Sequence, residues 1–224
     1  MNQRLNKLRA RLKEQDLDAI LVSAPENRRY ISGFTGSASY LLISQERAVL
    51  ATDFRYVEQA GKQALDISVE RISGSLDWFP KLASELGVER VGFESQSMTV
   101  ATYSAFNKAI EEAKNTHRLE LVSVANVIEQ LRALKDGKEH GLLTKAVEIA
   151  DQAFECVVPT IQPGITEQEV AWGLEKAMRE HGADSVAFDI IVAAGPNGAL
   201  PHHRAGEKII NQDEAVVIDM GATY

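Results

Sequence analysis

Along the N-terminal part of the chain, apolar residues recur with the periods of helices and of strands. Leu5, Leu8 and Leu12 fall on one helical face and predict an amphipathic helix over residues 2–15. The apolar run at 19–23 predicts a short buried strand. Further strands are predicted over 40–43, 48–52, 67–72, 90–93 and 118–122, and further helices over 53–61, 76–86, 99–114 and 126–134. This alternation predicts an α/β layer domain with a mixed sheet.

Residues 25–39 are rich in types that interrupt regular structure. Pro25-Glu26-Asn27 predicts the end of the preceding strand. The stretch YISGFTGSAS at 30–39 then contains two glycines and four serine or threonine hydroxyls. This composition predicts a loop with a tight turn.

The polar stretch at 135–138 contains a glycine and predicts a domain boundary. We expect a first domain over residues 1–134 and a second over 135–224. In the second domain, two amphipathic helices precede strands predicted over 187–193 and 215–220. Helices followed by strands predict an α+β arrangement there.

Both predicted helices of the second domain begin with the spacing of a capping box. Asp136 and Glu139 form the first pair, and Thr166 and Glu169 form the second. In such a box each side chain accepts a hydrogen bond from an otherwise unpaired backbone N–H of the first turn. We therefore expect the two helices to begin at these residues.

Composition and charge narrow the possible functions. The chain has 224 residues and a formal net charge of −8, which disfavours nucleic acid and anionic membranes as partners. Its longest apolar runs are too short to cross a bilayer, and residues 1–15 lack the apolar core of a signal peptide. The single cysteine, Cys156, cannot form an intrachain disulfide and is expected to be buried. Together these features predict a cytoplasmic protein.

The residues best suited to chemistry lie near the end of the chain. His202 and His203 follow a Gly-Pro-Asn-Gly turn region, and the apolar run at 215–218 leads directly to Asp219. We expect that run to form a buried strand, at whose end a carboxylate must be solvated, hydrogen-bonded or bound to a cation. These residue types leave the alternatives open, because a strand-end aspartate also serves as a turn or cap residue. Histidines on a loop are also commonly exposed without a function.

This segment resembles the motif of the M24 metallopeptidases with the pita-bread fold, and most closely their proline-specific branch, aminopeptidase P and prolidase. Similarity extends to NRRYISGFTGS at 27–37, TDFRYVEQA at 52–60 and LRALKDGK at 131–138, which resemble the creatinase-type N-terminal domain and its junction with the catalytic domain. The resemblance implies an N-terminal α/β/α domain followed by the first part of an α+β pita-bread domain. The matching motif residues are Ala194, Gly195, Asn197, Ala199, Pro201, His202 and Val216–Ala222.

The resemblance also implies roles for particular residues. Asp219 would be a ligand of one of two divalent metal ions, manganese, cobalt or zinc. His202 would be catalytic, lying beside the metals and donating a hydrogen bond to the substrate or the tetrahedral intermediate. Phe188 would line the substrate pocket, or else belong to the core. His203 and Arg204 would assist the site or remain solvated. The implied substrates are proline-containing peptides, and the implied assembly is a homodimer.

In that family the remaining metal ligands lie further along the sequence than residue 224. We therefore expect this chain to be part of a longer parent protein, and by itself to bind no metal tightly and to have no hydrolytic activity. We also expect exposed apolar surface or self-association around 215–220.

Two alternatives remain for the function: a creatinase-like amidinohydrolase that works without metal, and a non-catalytic module that binds peptides or proteins.

Overall fold

The computed structural model describes residues 3–113 and 118–224. The chain divides into two compact units, Met1–Leu134 and Lys135–Tyr224, each with its own hydrophobic core. The predicted start of the first helix at residue 2 and the predicted end, at residue 114, of the helix over 99–114 lie outside the described residues. No helix within 3–113 and 118–224 is long and apolar enough to cross a membrane.

The first unit is built on a six-stranded sheet. Its strands are β1 Ala19–Val22, β2 Ser39–Ser44, β3 Ala48–Thr52, β4 Ser68–Arg71, β5 Arg90–Glu94 and β6 Glu120–Val124. Its helices are α1 Gln3–Glu14, α2 Pro25–Ser32, α3 Val57–Gln63, α4 Trp78–Leu86, α5 Val100–Glu112 and α6 Val127–Ala133. The strand order is β4-β3-β2-β1-β5-β6, and β2 is antiparallel to both neighbours while the other pairs are parallel. The predicted α/β domain with a mixed sheet is confirmed.

Both faces of this sheet are covered, which explains the continuous apolar runs of its central strands. Successive side chains of a strand point to opposite faces, so Ile20 enters one core and Leu21 the other. The predicted stripe of α1, Leu5, Leu8 and Leu12, packs into the core that contains Ile20. Each buried leucine contributes roughly 1.5–3 kcal/mol by leaving water.

Helix α2 occupies residues 25–32, so the loop expected over 30–39 is confirmed only over 33–38. The preceding strand β1 ends at Val22, before Pro25, as predicted. Pro25 then occupies the first turn of α2, where a missing N–H costs nothing. Gly33 ends the helix with a φ of +76°, a left-handed conformation that glycine adopts without strain. Asn27 and Ile31 are buried on the inner face of α2. Tertiary burial therefore outweighs the composition that predicted a loop.

The second unit contains two long helices and two small antiparallel sheets. Its elements are α7 Gly137–Val157, α8 Glu167–Glu180, β7 Ser185–Val186, β8 Ile191–Ala194, β9 Val216–Asp219 and β10 Ala222–Thr223, with 3₁₀ turns at Val158–Thr160 and Gly195–Ala199. The sheets are β8–β9 and β7–β10. Both predicted capping boxes form at the starts of α7 and α8. The helices and β8 share one core that includes Ile149, Leu174 and Val192.

Two apolar features of this unit are more exposed than predicted. The apolar run at 215–218 was expected to form a buried strand. Strand β9 is instead only partly buried, and Val217 within it is 49% exposed. Exposed apolar surface was expected in this region and is confirmed there. Cys156 on α7 is also exposed, which corrects the expectation that it is buried.

Candidate functional site

The antiparallel pair β8–β9 forms the framework of the candidate site. Ala194 pairs with Val216 at one end, and Ile191 pairs with Asp219 at the other. Strand β8 continues into the 3₁₀ turn Gly195–Ala199 and then into the histidine pair, whereas β9 ends at Asp219. The two motifs noted in the sequence therefore extend from opposite ends of one strand pair.

Asp219 is exposed at the end of β9. Among the described residues, no group of three or more His, Cys, Asp or Glu side chains is arranged to hold a metal ion. A hard divalent ion needs several oxygen or nitrogen donors for tight binding. The described residues therefore do not by themselves fit a two-metal centre.

Phe188 lies beside the segment that follows Asp219. Its ring is 45% exposed and contacts the backbone of Gly221. The side chain is therefore neither a buried core residue nor free of contacts. The structure brings Phe188 to the Asp219 end of the strand pair.

His202 lies on the loop that leaves the other end of β8, and its side chain is exposed. Turn hydrogen bonds shape this loop: the amide of Leu200 donates to the Asn197 carbonyl at 2.9 Å, and the amide of His203 donates to the Leu200 carbonyl at 3.2 Å. The loop starts with Gly195, whose φ is +53°. A polar imidazole is thus presented to solvent from a chain segment with defined backbone contacts.

The two neighbours of His202 differ. Arg204 is almost fully exposed, and its guanidinium lies 4.0 Å from the equally exposed Asp189 carboxylate, a contact of little energetic weight. The side chain of His203 is only 14% exposed, and its Nε2 lies 2.7 Å from Glu167 Oε2. Of the two residues predicted as helpers or solvated loop residues, only His203 is built into the fold.

Glu167 is the polar centre of this region, and the sequence motifs did not reveal it. It is fully buried at the first position of α8. Its Oε1 accepts hydrogen bonds from the amide of Ala194 at 2.8 Å and from Asn197 Nδ2 at 2.9 Å, while Oε2 meets His203 Nε2. Acidic residues are common in the first turn of helices, so nothing in the sequence distinguished Glu167 from the exposed Glu169.

The hydrogen bonds to Glu167 determine its charge. Burial acts to raise the pKa of this carboxyl, but the bonds from the Ala194 amide, His203 and Asn197 outweigh burial, and the net effect lowers the pKa. Glu167 is therefore an ionised carboxylate at neutral pH. Since a carboxylate only accepts hydrogen bonds, His203 Nε2 carries the proton in this contact.

Comparisons with known proteins agree with the two-unit organisation. Residues 4–134 match the Creatinase/Prolidase N-terminal domain, and residues 141–224 match Metallopeptidase family M24. An uncharacterised peptidase from Bacillus subtilis is 40% identical over 222 residues, covering 99% of this chain and 61% of that protein.

Solved structures show the same similarity. An Xaa-Pro dipeptidase from Bacillus anthracis is 41% identical, with a TM-score of 0.93 over 99% of this chain and 61% of its own. An X-Pro aminopeptidase from Thermotoga maritima is 34% identical, with a TM-score of 0.84 over 98% of this chain and 61% of its own. This similarity confirms the predicted fold class. The chain spans about 61% of the length of these relatives, and it belongs to the family that joins a creatinase/prolidase N-terminal domain to an M24 metallopeptidase domain.

Proposed function

We propose that the chain forms the N-terminal domain and the first part of the catalytic domain of an Xaa-Pro peptidase, in a parent protein of the relatives' length. The observation that carries this proposal is the β8–β9 pair, which presents Asp219 and Phe188 at one end and the His202 loop at the other. The family match and the names of the relatives, Xaa-Pro dipeptidase and X-Pro aminopeptidase, support the same reaction.

His202 is the proposed catalytic residue. Its imidazole is exposed, so it can donate a hydrogen bond to a carbonyl oxygen of the substrate. Such a bond strengthens as negative charge develops on that oxygen, and it therefore favours the transition state over the ground state. Phe188 is the proposed apolar surface for the substrate, because its half-exposed ring is fixed on one side by Gly221.

Asp219 is the proposed metal ligand. Membership of the M24 family implies the use of divalent metal ions, and we propose manganese, cobalt or zinc, the metals that the resemblance to the proline-specific branch implies. The other ligands would come from the remainder of the parent protein, because the described residues contain no group of three or more His, Cys, Asp or Glu side chains arranged to hold a metal ion.

The setting of the reaction is also a proposal. We place the parent protein in the cytoplasm, where a lone cysteine such as Cys156 stays reduced, and we propose that it forms a homodimer. The net charge of −8 supports peptides as substrates and not nucleic acids or anionic membranes.

The test is an assay of the parent protein with manganese on an Xaa-Pro dipeptide and on a longer Xaa-Pro peptide. We expect turnover that a chelator abolishes, and we expect His202→Ala to lower kcat about 100-fold or more. His181→Ala is the matched control, because His181 is an exposed histidine at the end of α8. The isolated chain should show no turnover.

Other outcomes would identify the alternatives. Metal-independent hydrolysis of creatine would favour a creatinase-like amidinohydrolase. Peptide binding without turnover, in a parent protein that lacks further acidic and histidine ligands, would favour a binding module. Comparison of the two peptides decides between a dipeptidase and an aminopeptidase.

A further inference from the structure

We infer that Glu167 is a positioning residue, whose buried carboxylate holds the loop that carries His202 in place through Asn197 and His203. This inference rests on the proposed function of His202, although the tethering itself is a property of the fold and is testable separately. It assigns a role to a buried charge that the proposed reaction does not use.

The three contacts of the carboxylate are distributed along the whole loop. The amide of Ala194 marks the end of β8, Asn197 lies within the 3₁₀ turn, and His203 follows His202 directly. One side chain therefore binds the start, the middle and the end of the segment 194–203. His202 is one peptide bond from the last contact, so its position follows that of His203.

Glu167 is itself firmly held. Its own amide donates to the carbonyl of Lys208 at 3.0 Å, and the amide of Gln168 donates to the carbonyl of Gly206 at 3.0 Å. It also begins α8, a helix of 14 residues whose inner face is buried. The loop is thus tied to a rigid element and not to another loop.

Burial gives these contacts their importance. Glu167 is fully inaccessible to solvent, and a buried carboxylate that loses its hydrogen-bond donors is strongly destabilised. Movement of the loop would break the hydrogen bonds to Glu167. The buried carboxylate therefore restricts the loop to one arrangement. A displacement of about 1 Å in a catalytic group can lower the rate on the order of 100-fold, so this restraint matters for His202.

The first test measures amide hydrogen exchange in the 224-residue chain. Glu167→Ala should speed exchange of the Leu200 and His203 amides at least about 10-fold, while amides in the middle of α7 stay protected. Glu169→Ala is the matched control, because Glu169 caps the same helix by accepting from the amide and hydroxyl of Thr166, which lies outside the loop. Equal loosening by both variants would show general destabilisation and would overturn the inference.

If Glu167→Ala does not fold, variants that each remove one hydrogen-bond donor to Glu167 provide the test instead. Asn197→Ala and His203→Ala each remove one donor at the edge of the buried site. Each should loosen the same amides, whereas His203→Asn should partly restore protection, because its amide can still donate to the carboxylate. Unchanged exchange in both alanine variants would contradict the tether.

The second test uses kinetics of the parent protein. Glu167→Ala should lower kcat about 10- to 100-fold with little change in KM, and should add almost nothing in a His202→Ala background. Losses that multiply in the double variant would overturn the positioning role. Should His202→Ala alone leave kcat intact, the proposed role of His202 fails, while the exchange experiment still decides on the tether.

Discussion

The ring of Phe188 packs against the backbone of Gly221. A Cβ built on Gly221 would lie 3.1 Å from Phe188 Cε1 and 3.4 Å from the Cβ of Ala187. The amide of Ala187 donates to the Gly221 carbonyl at 2.8 Å. This close approach of two backbones connects the proposed substrate surface to the segment that follows Asp219, and a side chain at residue 221 would have to displace the ring.

Enlarging Gly221 should disturb this contact in proportion to size. Gly221→Ala should require only a small shift of the half-exposed ring, whereas Gly221→Val should destabilise the second unit by about 1–3 kcal/mol through overpacking. Urea unfolding followed by residue-resolved NMR measures the effect. Gly141→Ala is the control, because a Cβ there meets nothing within 4 Å and alanine favours the helix. Equal effects of Gly221→Val and Gly141→Ala would refute the packing argument.

Gly195 faces a stronger constraint than Gly221. Its φ is +53°, and a Cβ would lie 2.7 Å from Glu214 Oε1. Gly195→Ala should therefore cost about 1–2 kcal/mol from the left-handed backbone and a further amount from the clash. Exchange of the β8 amides should report the loss. In a Glu214→Ala background the clash is absent, so Gly195→Ala should lower the stability only by the cost of the left-handed backbone. If Gly195→Ala lowers the stability equally in both backgrounds, the clash does not contribute.

Glu214 should also determine how this part of the fold responds to acid. The amide of Asn211, at 3.0 Å from Oε2, is the main cause that lowers the pKa of Glu214 from 4.5 to about 2, with Lys208 Nζ at 2.8 Å as a further cause. A lowered pKa means that the carboxylate stabilises the fold fully above 4.5 and loses this effect as the pH falls through about 2.

A carbon-13 NMR titration of the Glu214 carboxyl checks this value. In Lys208→Met the pKa should rise only in part, because the Asn211 amide remains. A carboxyl that titrates at its ordinary value in the unmodified chain would contradict the hydrogen-bonded arrangement.

Much of the fold was accessible from local sequence rules, because local interactions determine those elements. The helical period of the leucines in α1 and the continuous apolar run of β1 each indicate burial directly. The capping pairs Asp136–Glu139 and Thr166–Glu169 form because both partners belong to the same helix turn. Such patterns need no knowledge of the rest of the chain.

The exceptions depend on contacts between distant positions. Helix α2 forms against composition because its inner face is buried, and Asn27 Nδ2 donates to Glu94 Oε1 at 2.7 Å across 67 positions of sequence. The role of Glu167 likewise depends on His203, 36 positions away. One sequence contains no signal for such pairs, so the predicted site included His202 and omitted the buried acid beneath its loop.

Asp219 should be required for metal binding in the parent protein. Asp219→Asn keeps the size of the side chain and removes the negative charge that a hard cation prefers, so the affinity for manganese should fall about 10- to 100-fold or more. Calorimetric titration of the metal-free protein measures the affinity without relying on activity. Asp213→Asn is the matched control, because Asp213 lies in an exposed turn with a φ of +62°, which asparagine also tolerates. If both variants bind manganese as tightly as the unmodified protein, Asp219 is not a ligand, and the carboxylate at the end of β9 serves only as a solvated strand terminus.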